Sequence, residues 1–193
     1  MVELVQDYVI AELKAGLSPD NHYHSVEHTM GVVAICEEIA SHYTLPDEDL
    51  EDLLIASWFH DVGHIHSFED HESTSAKIAR EFLHNNDHPE TRTKNIELII
   101  LSTSMNVPSQ GLLEEIIHDA DIQSIGSESF FEIGDNLRKE WELIEGLYYD
   151  QEEWNKLQLE FLQNNDFYTS YAQEKFGPVR QKNIELAQSR IND

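Results

Sequence analysis

Apolar residues recur at intervals of three and four along nearly all of this 193-residue chain, and no stretch alternates with period two. Side chains spaced that way share one face of a helix, whereas a half-buried strand needs alternation. The chain is therefore expected to be all-α. Val2, Val5, Val9 and Leu13 mark a first helix that Gly16 stops. Ser18-Pro19-Asp20-Asn21 is a loop, after which Ser25 caps a second helix carrying His28, Val32, Ile35 and Ile39. Leu45-Pro46 breaks it, and Asp47 is the expected cap of a third, with Leu50, Leu53, Leu54 and Ser57 on one face and Gly63 as its stop. Ser75, Ile78, Ala79, Phe82 and Leu83 give a fourth, ended by Asn85-Asn86-Asp87-His88-Pro89. Ile96, Ile99, Ile100 and Thr103 give a fifth, and Leu113, Ile116, Ile117 and Ala120 a sixth. A helix from Ser127 to about Gly146 carries the stripe Phe130, Ile133, Leu137, Trp141 and Ile144; another spans Gln151 to Leu162, and a last one Pro178 to about Ser189.

Four residues break the pattern in the same way. His28, His60, Asp61 and Asp121 are metal-ligand types on helix faces that are otherwise apolar and should be buried. A buried carboxylate without a partner costs several kcal/mol, so each acid needs a counter-charge. One divalent cation serves both. Two imidazoles and two carboxylates leave open positions on a six-coordinate metal, where a water or a phosphate oxygen can bind.

The order and spacing of these residues resemble the HD superfamily of metal-dependent phosphohydrolases. The matching stretches are Tyr23-His24-Ser25-Val26-Glu27-His28, Ala56-Ser57-Trp58-Phe59-His60-Asp61-Val62-Gly63-His64 and His118-Asp119-Ala120-Asp121-Ile122. The resemblance implies a single HD-type domain over residues 1–193, an all-α helical bundle with a signature core at about 22–126 and extra C-terminal helices at about 127–193. It implies His28, His60, Asp61 and Asp121 as ligands of one divalent metal ion, with Mn, Mg, Fe, Co, Ni and Zn all open. Asp121 matches the family's ligand position, while Asp119 faces roughly 160° away on an ideal helix and reads as a solvated or supporting acid. Some relatives hold two metals through added histidines, for which His71, His84 and His88 are candidates. His84 and His88 flank a polar turn and read as surface residues. The segment Leu101-Ser102-Thr103-Ser104-Met105-Asn106, where relatives often carry a histidine, has none. That argues for one metal and against the di-iron oxygenases of the same fold.

The resemblance also nominates helpers. A histidine at the place of His64 lies beside the substrate phosphate in nucleotide-cleaving relatives, as general acid or as stabiliser of phosphoryl charge. Glu72 resembles an acid that orients a histidine or the attacking water, and is equally ordinary in a helix's first turn. His24, four residues before His28, either points into the same pocket as a substrate-binding residue or sits at the surface. Arg138 matches a late-helix arginine that enters the pocket in a related subgroup; alternatively it pairs with its acidic neighbours. Lys77 and Arg80 follow the His-Asp loop on one helix, and Lys77 reads as solvated. The segment Phe167-Tyr168-Thr169-Ser170-Tyr171 either covers the pocket or packs the C-terminal helices.

Composition narrows the partners. Thirty-eight Asp and Glu against twelve Lys and Arg give a net charge of −26, which repels long nucleic acids and anionic membranes. No apolar run approaches the ~20 residues of a membrane span. Met1-Val2-Glu3-Leu4 has no basic region or hydrophobic signal core, and the lone Cys36, set among Val33, Ile35 and Ile39, reads as a buried small hydrophobe in a reducing compartment. The sequence thus points to a cytoplasmic phosphohydrolase that cleaves a phosphate ester or anhydride of a nucleotide or small phosphorylated metabolite. The rival is a catalytically silent binding or regulatory module with the metal as a structural staple. Oligomeric state is left open.

Overall fold

Nine α-helices and no strand occur among the described residues, which are 1–105 and 107–192 of the computed structural model. Asn106, at the end of the histidine-free segment, lies outside them. The helices are α1 (Val2–Gly16), α2 (Val26–Ala40), α3 (Asp47–Phe59), α4 (His71–Asn85), α5 (Glu90–Leu101), α6 (Leu112–Asp121), α7 (Phe130–Glu140), α8 (Gln151–Asn164) and α9 (Ser170–Asn192).

Helix α3 is the centre. Every residue from Asp52 to Phe59 is buried, because α1, α2, α4, α5 and α6 all pack around it. Its one buried acid in this stretch, Asp52, is matched by Arg92 of α5, whose Nε donates at 2.8 Å. Truncating the fully buried Leu53 to Ala would cost about 2–5 kcal/mol by the usual transfer and cavity costs. Val5, Val9 and Leu13 seat α1 against α3, as their spacing implied. Ser25 caps α2 as expected, its hydroxyl accepting from the His28 N–H at 3.2 Å.

Several boundaries differ from the sequence reading. Asp47 begins α3, and Pro46 is the residue before it, so Asp47 contributes charge at the positive end of the helix dipole instead of a side-chain cap. The helix ends at Phe59, ahead of Gly63, and a short 3₁₀ turn follows over Val62–Ile65. Gly63 is needed for a different reason: a Cβ there would lie 2.1 Å from the His71 carbonyl oxygen and 2.9 Å from the Ser75 nitrogen. The turn is thereby pressed against the start of α4, and the Ser75 hydroxyl accepts the Gly63 N–H at 2.8 Å.

Helix α7 passes into a π turn at Trp141–Glu145, and Gly146 ends it in the left-handed region at φ 67°. Helix α9 starts at Ser170, eight residues before Pro178, which it contains. Its packing outweighs the amide lost at proline. Ala172 and Phe176 are buried, and Asn183 donates to the carbonyls of Ile125 and Ser127 at 2.9 and 2.8 Å. The C-terminal helices are thus tied to the 3₁₀ turn Ile122–Gly126 that directly follows Asp121.

Candidate metal centre and active site

Three packing contacts of the core bring the ligand types together. Helix α2 lies against α3 and α6, so the first turn of α2, the end of α3 and the end of α6 meet. His28 Nε2 is 3.2 Å from Asp61 Oδ2 and 3.3 Å from Asp121 Oδ1, and His60 Nε2 is 3.2 and 3.6 Å from the same two oxygens. Donor atoms about 2.1 Å from a common metal are separated by roughly 3.0–3.4 Å in octahedral or tetrahedral geometry, and these spacings suit it. His28 Nε2, His60 Nε2 and the Asp61 Oδ2 are buried and make no hydrogen bond. Orphaned nitrogen and oxygen lone pairs at that spacing fit a divalent cation. The Nδ1–H of His60 donates to the Ser57 carbonyl at 2.7 Å, which fixes the ring and leaves Nε2 for a metal.

The same proximity sets the charges in the absence of metal. Burial opposes a positive charge on His28, but Asp121 and Asp61 outweigh it and push its pKa up to about 9. Burial likewise opposes charge on His60, and Asp61 and Asp121 raise it well above the usual imidazole range. Against the cost of burial, His60 and His28 hold Asp61 well below the usual carboxylate range; His28 and His60 lower Asp121 too.

Beside this cluster stand three stacked imidazoles. His64 lies between His24 and His71, with ring centroids 3.8 and 3.9 Å apart. The sequence nominates His71 only as a candidate ligand of a second metal. It turns Nδ1 to the Phe68 carbonyl at 3.1 Å and Nε2 toward Asp61 Oδ1 at 3.6 Å. Asp61 therefore presents one oxygen to each group. His24, Asp61 and His64 form a second set of ligand atoms within 4.8 Å of one another. Burial, then the neighbouring His24, pushes His64 down to about 2, so it is neutral at ordinary pH.

A residue that sequence reasoning missed positions the stack. Glu140, the last residue of α7, is fully buried. Its carboxylate accepts the backbone N–H groups of Tyr23 at 2.8 Å and His24 at 3.0 Å, and pairs with His24 Nδ1. Burial raises its pKa, but the His24 contact overrides that and holds it below the usual range. Arg138, two residues earlier, is not brought to the site. It donates to Gln151 Oε1 at 3.0 Å and to the Tyr149 carbonyl, and its guanidinium lies over the Trp154 ring. Glu72 does border the site, 3.6 Å from His71 Nδ1. His84 is exposed and His88 half-buried, both away from this cavity's lining. Asp119 is not solvated: it is fully buried, and accepts the backbone N–H groups of Tyr168 and Thr169 at 2.7 and 2.8 Å. That segment consequently packs the C-terminal helices, with Phe167 in the core.

Asp61, Asp121, His24, His64, His71 and Glu72 share one cavity of about 480 Å³. Its far wall is the α7 stripe Phe130, Ile133, Leu137 and Trp141 with Trp154 and Phe161 of α8. Ile144 is exposed and does not join it.

The family model of the HD domain matches residues 25–125. The chain belongs to the HD-domain family. HD domains in general bind divalent metals and act as phosphohydrolases, and the cluster of His28, His60, Asp61 and Asp121, which could hold one, falls inside the matched region. No curated protein matches this chain. The crystal structure of a predicted HD superfamily hydrolase from an uncultured Thermotogales bacterium is similar, with a TM-score of 0.63 at 18% identity over 95% of this chain and 89% of that one. At that identity the likeness carries the fold: the all-α HD architecture extends through the C-terminal helices. Among the described residues no helix is long and apolar enough to cross a membrane.

Proposed function

We propose that this HD-domain protein is a phosphohydrolase that uses one divalent metal to cleave a phosphate ester or anhydride of a nucleotide or small phosphorylated metabolite. One observation carries the reading. The orphaned donor atoms of His28, His60 and Asp61 converge with Asp121, and Asp61 and Asp121 open onto a cavity that also holds a row of histidines fixed in place. A bound divalent cation would supply charge to the phosphoryl oxygens and make a bound water more acidic.

The chain's own residues divide the remaining work. A water oxygen bonds to phosphorus as the bond from phosphorus to the leaving oxygen breaks. His24 is the residue we assign to proton delivery at that leaving oxygen. Glu140 holds it through Nδ1, which leaves Nε2 for the cavity. His64 is neutral, so we assign it a hydrogen bond to a phosphoryl oxygen in preference to the role of acid. The Phe68 carbonyl holds His71 through Nδ1, Glu72 lies beside the same nitrogen at 3.6 Å, and His71 Nε2 faces the outer oxygen of Asp61; we assign Glu72 and His71 to the electrostatic support of Asp61. Arg138 has no part in this assignment, because its donors are engaged outside the cavity.

The test is a phosphoester and phosphoanhydride screen of chelated protein with Mn²⁺, Mg²⁺, Co²⁺, Ni²⁺, Fe²⁺ or Zn²⁺ added back. Metal-dependent turnover is expected. A metal-dependent rise in melting temperature without turnover of any substrate would instead support the silent, metal-stapled module.

A further inference from the structure

Apolar surface begins where the histidine row ends. Phe68 lines the cavity with its ring centroid 5.8 Å from that of His64 and 6.4 Å from that of Trp141. Beyond it the lining runs through Ile133, Leu137, Trp141, Trp154, Leu157 and Phe161. A phosphate among the histidines would therefore place the carbons of its alcohol against Phe68 and, past it, against this wall.

The donor nitrogens of this wall are shut away from the cavity. Trp141 Nε1, Trp154 Nε1 and Gln158 Nε2 each have less than 1 Å² of accessible surface. The α7 backbone covers the Gln158 amide so closely that a Cβ on Gly134 would lie 2.4 Å from Nε2. Asn165 spends its Nδ2 on the Phe161 carbonyl at 2.8 Å, and Glu160 and Asn164 are exposed to solvent. A base or a ribose against this wall would give up hydrogen bonds to water and gain none, which costs affinity for each group left unmade. Charge points the same way. Among the described residues that line the cavity there is no Lys or Arg, and Glu72 and Glu160 are acids. The cation that the ligand cluster would hold and the histidines are all that a phosphate would meet. A diphosphate or triphosphate would bring unmatched charge into a low-dielectric site.

From the closed apolar wall and the lining without Lys or Arg we infer the substrate class: the monophosphate ester of an uncharged, apolar alcohol. The single phosphate meets the ligand cluster and the histidines, and the carbon skeleton lies along Phe68 and the wall of α7 and α8. Each methylene buried there strengthens binding about fourfold, the usual value for apolar surface leaving water. The cavity, at about 480 Å³, is within the range of pockets that enclose small molecules. This inference rests on the phosphohydrolase reading for its phosphate end, and selects among the esters that reading admits. The apolar end stands on the wall alone.

Two measurements separate the ends. In chelated protein, octan-1-ol should change tryptophan fluorescence saturably and bind more tightly than uridine. Leu137→Gln, and Phe161→Ser at a partly exposed position, should each weaken octanol binding at least fivefold. In metal-loaded protein, kcat/KM should rise at least tenfold from methyl to butyl phosphate and again from butyl to octyl phosphate. Octyl phosphate should also exceed uridine 5′-monophosphate, uridine triphosphate and ribose 5-phosphate at least tenfold. The same two variants should lower the ratio of octyl to methyl phosphate at least fivefold. Absence of octanol binding, tighter binding of uridine, a flat chain-length profile, a preference for the nucleotides or the sugar phosphate, or a ratio unmoved by both variants would each overturn the inference. Octanol binding without turnover of any ester would overturn the phosphohydrolase reading and leave the apolar site standing.

Discussion

Glu140 and His24 meet through carboxylate and Nδ1 across 116 residues of sequence, and the carboxylate also takes the backbone N–H groups of Tyr23 and His24. The end of α7 thereby fixes both the ring and the backbone of the residue assigned to proton delivery. An acid matters most when the leaving group is poor. His24→Gln should lower kcat about 10²–10⁴-fold on an alkyl phosphate, the usual contribution of a positioned acid, and much less on p-nitrophenyl phosphate. Glu140→Gln should show the same leaving-group pattern at smaller size. Equal losses on both substrates would remove the acid role from His24.

Asp119 and Asp121 are two residues apart and do opposite jobs. Asp119→Ala removes two hydrogen bonds to a charged acceptor at Tyr168 and Thr169. It should cost about 3 kcal/mol in urea unfolding and speed hydrogen exchange at the start of α9, with metal content unchanged. Asp121→Ala should lose metal, leave hydrogen exchange at the start of α9 unchanged, and lower the stability of chelated protein only through the lost pairing with His28 and His60. Metal analysis and urea midpoints on the pair check both.

The turn after the His-Asp pair depends on the missing side chain at residue 63. Gly63→Ala must push the His71 carbonyl and Ser75 apart from the turn. Overpacking of this kind costs about 3 kcal/mol, and the displaced His71 should disturb the imidazole stack. The expected result is a lowered melting temperature together with reduced turnover.

In chelated protein the ligand cluster is a set of ion pairs, and its pH dependence follows. The pKa of His28, pushed up to about 9, exceeds the ordinary imidazole value of about 6.5. A raised pKa stabilises the fold fully below the unfolded value and loses that contribution as pH climbs through the folded one. Asp61 is shifted the other way, so its contribution is lost only in strong acid. The urea midpoint of chelated protein should thus fall between pH 7 and pH 10. His28→Gln should flatten the fall, and metal binding at pH 7 should release protons. A midpoint level over that range would contradict the charge assignment.

The His-Asp cluster was legible in the sequence because helical periodicity puts His28, His60, Asp61 and Asp121 at the ends of apolar stripes, where ordinary packing gives no reason for them. Glu140 was not legible. In Arg138-Lys139-Glu140 it reads as one member of a surface charge cluster, and its partners lie far away in the chain. Arg138 was drawn toward the pocket for the converse reason. Its real partners, Gln151 and the Tyr149 carbonyl, depend on the π turn and on Gly146 at φ 67°, which local patterns do not announce. The α7 stripe was visible as an apolar face, but periodicity does not distinguish a face that meets the core from one that lines a cavity. Pro178 marked a helix start by local rules, and the tertiary contacts of Ala172, Phe176 and Asn183 carry α9 through it.

On the proposed function, hydrolysis depends on a metal held by Asp61 and its three partners. Metal content and phosphoester turnover should be measured together on wild-type protein and Asp61→Ala, both reloaded with the metal that best restores wild-type activity. One divalent ion per chain and metal-dependent turnover are expected in wild type, with both lost in the variant. Full metal-dependent turnover in Asp61→Ala would contradict that function.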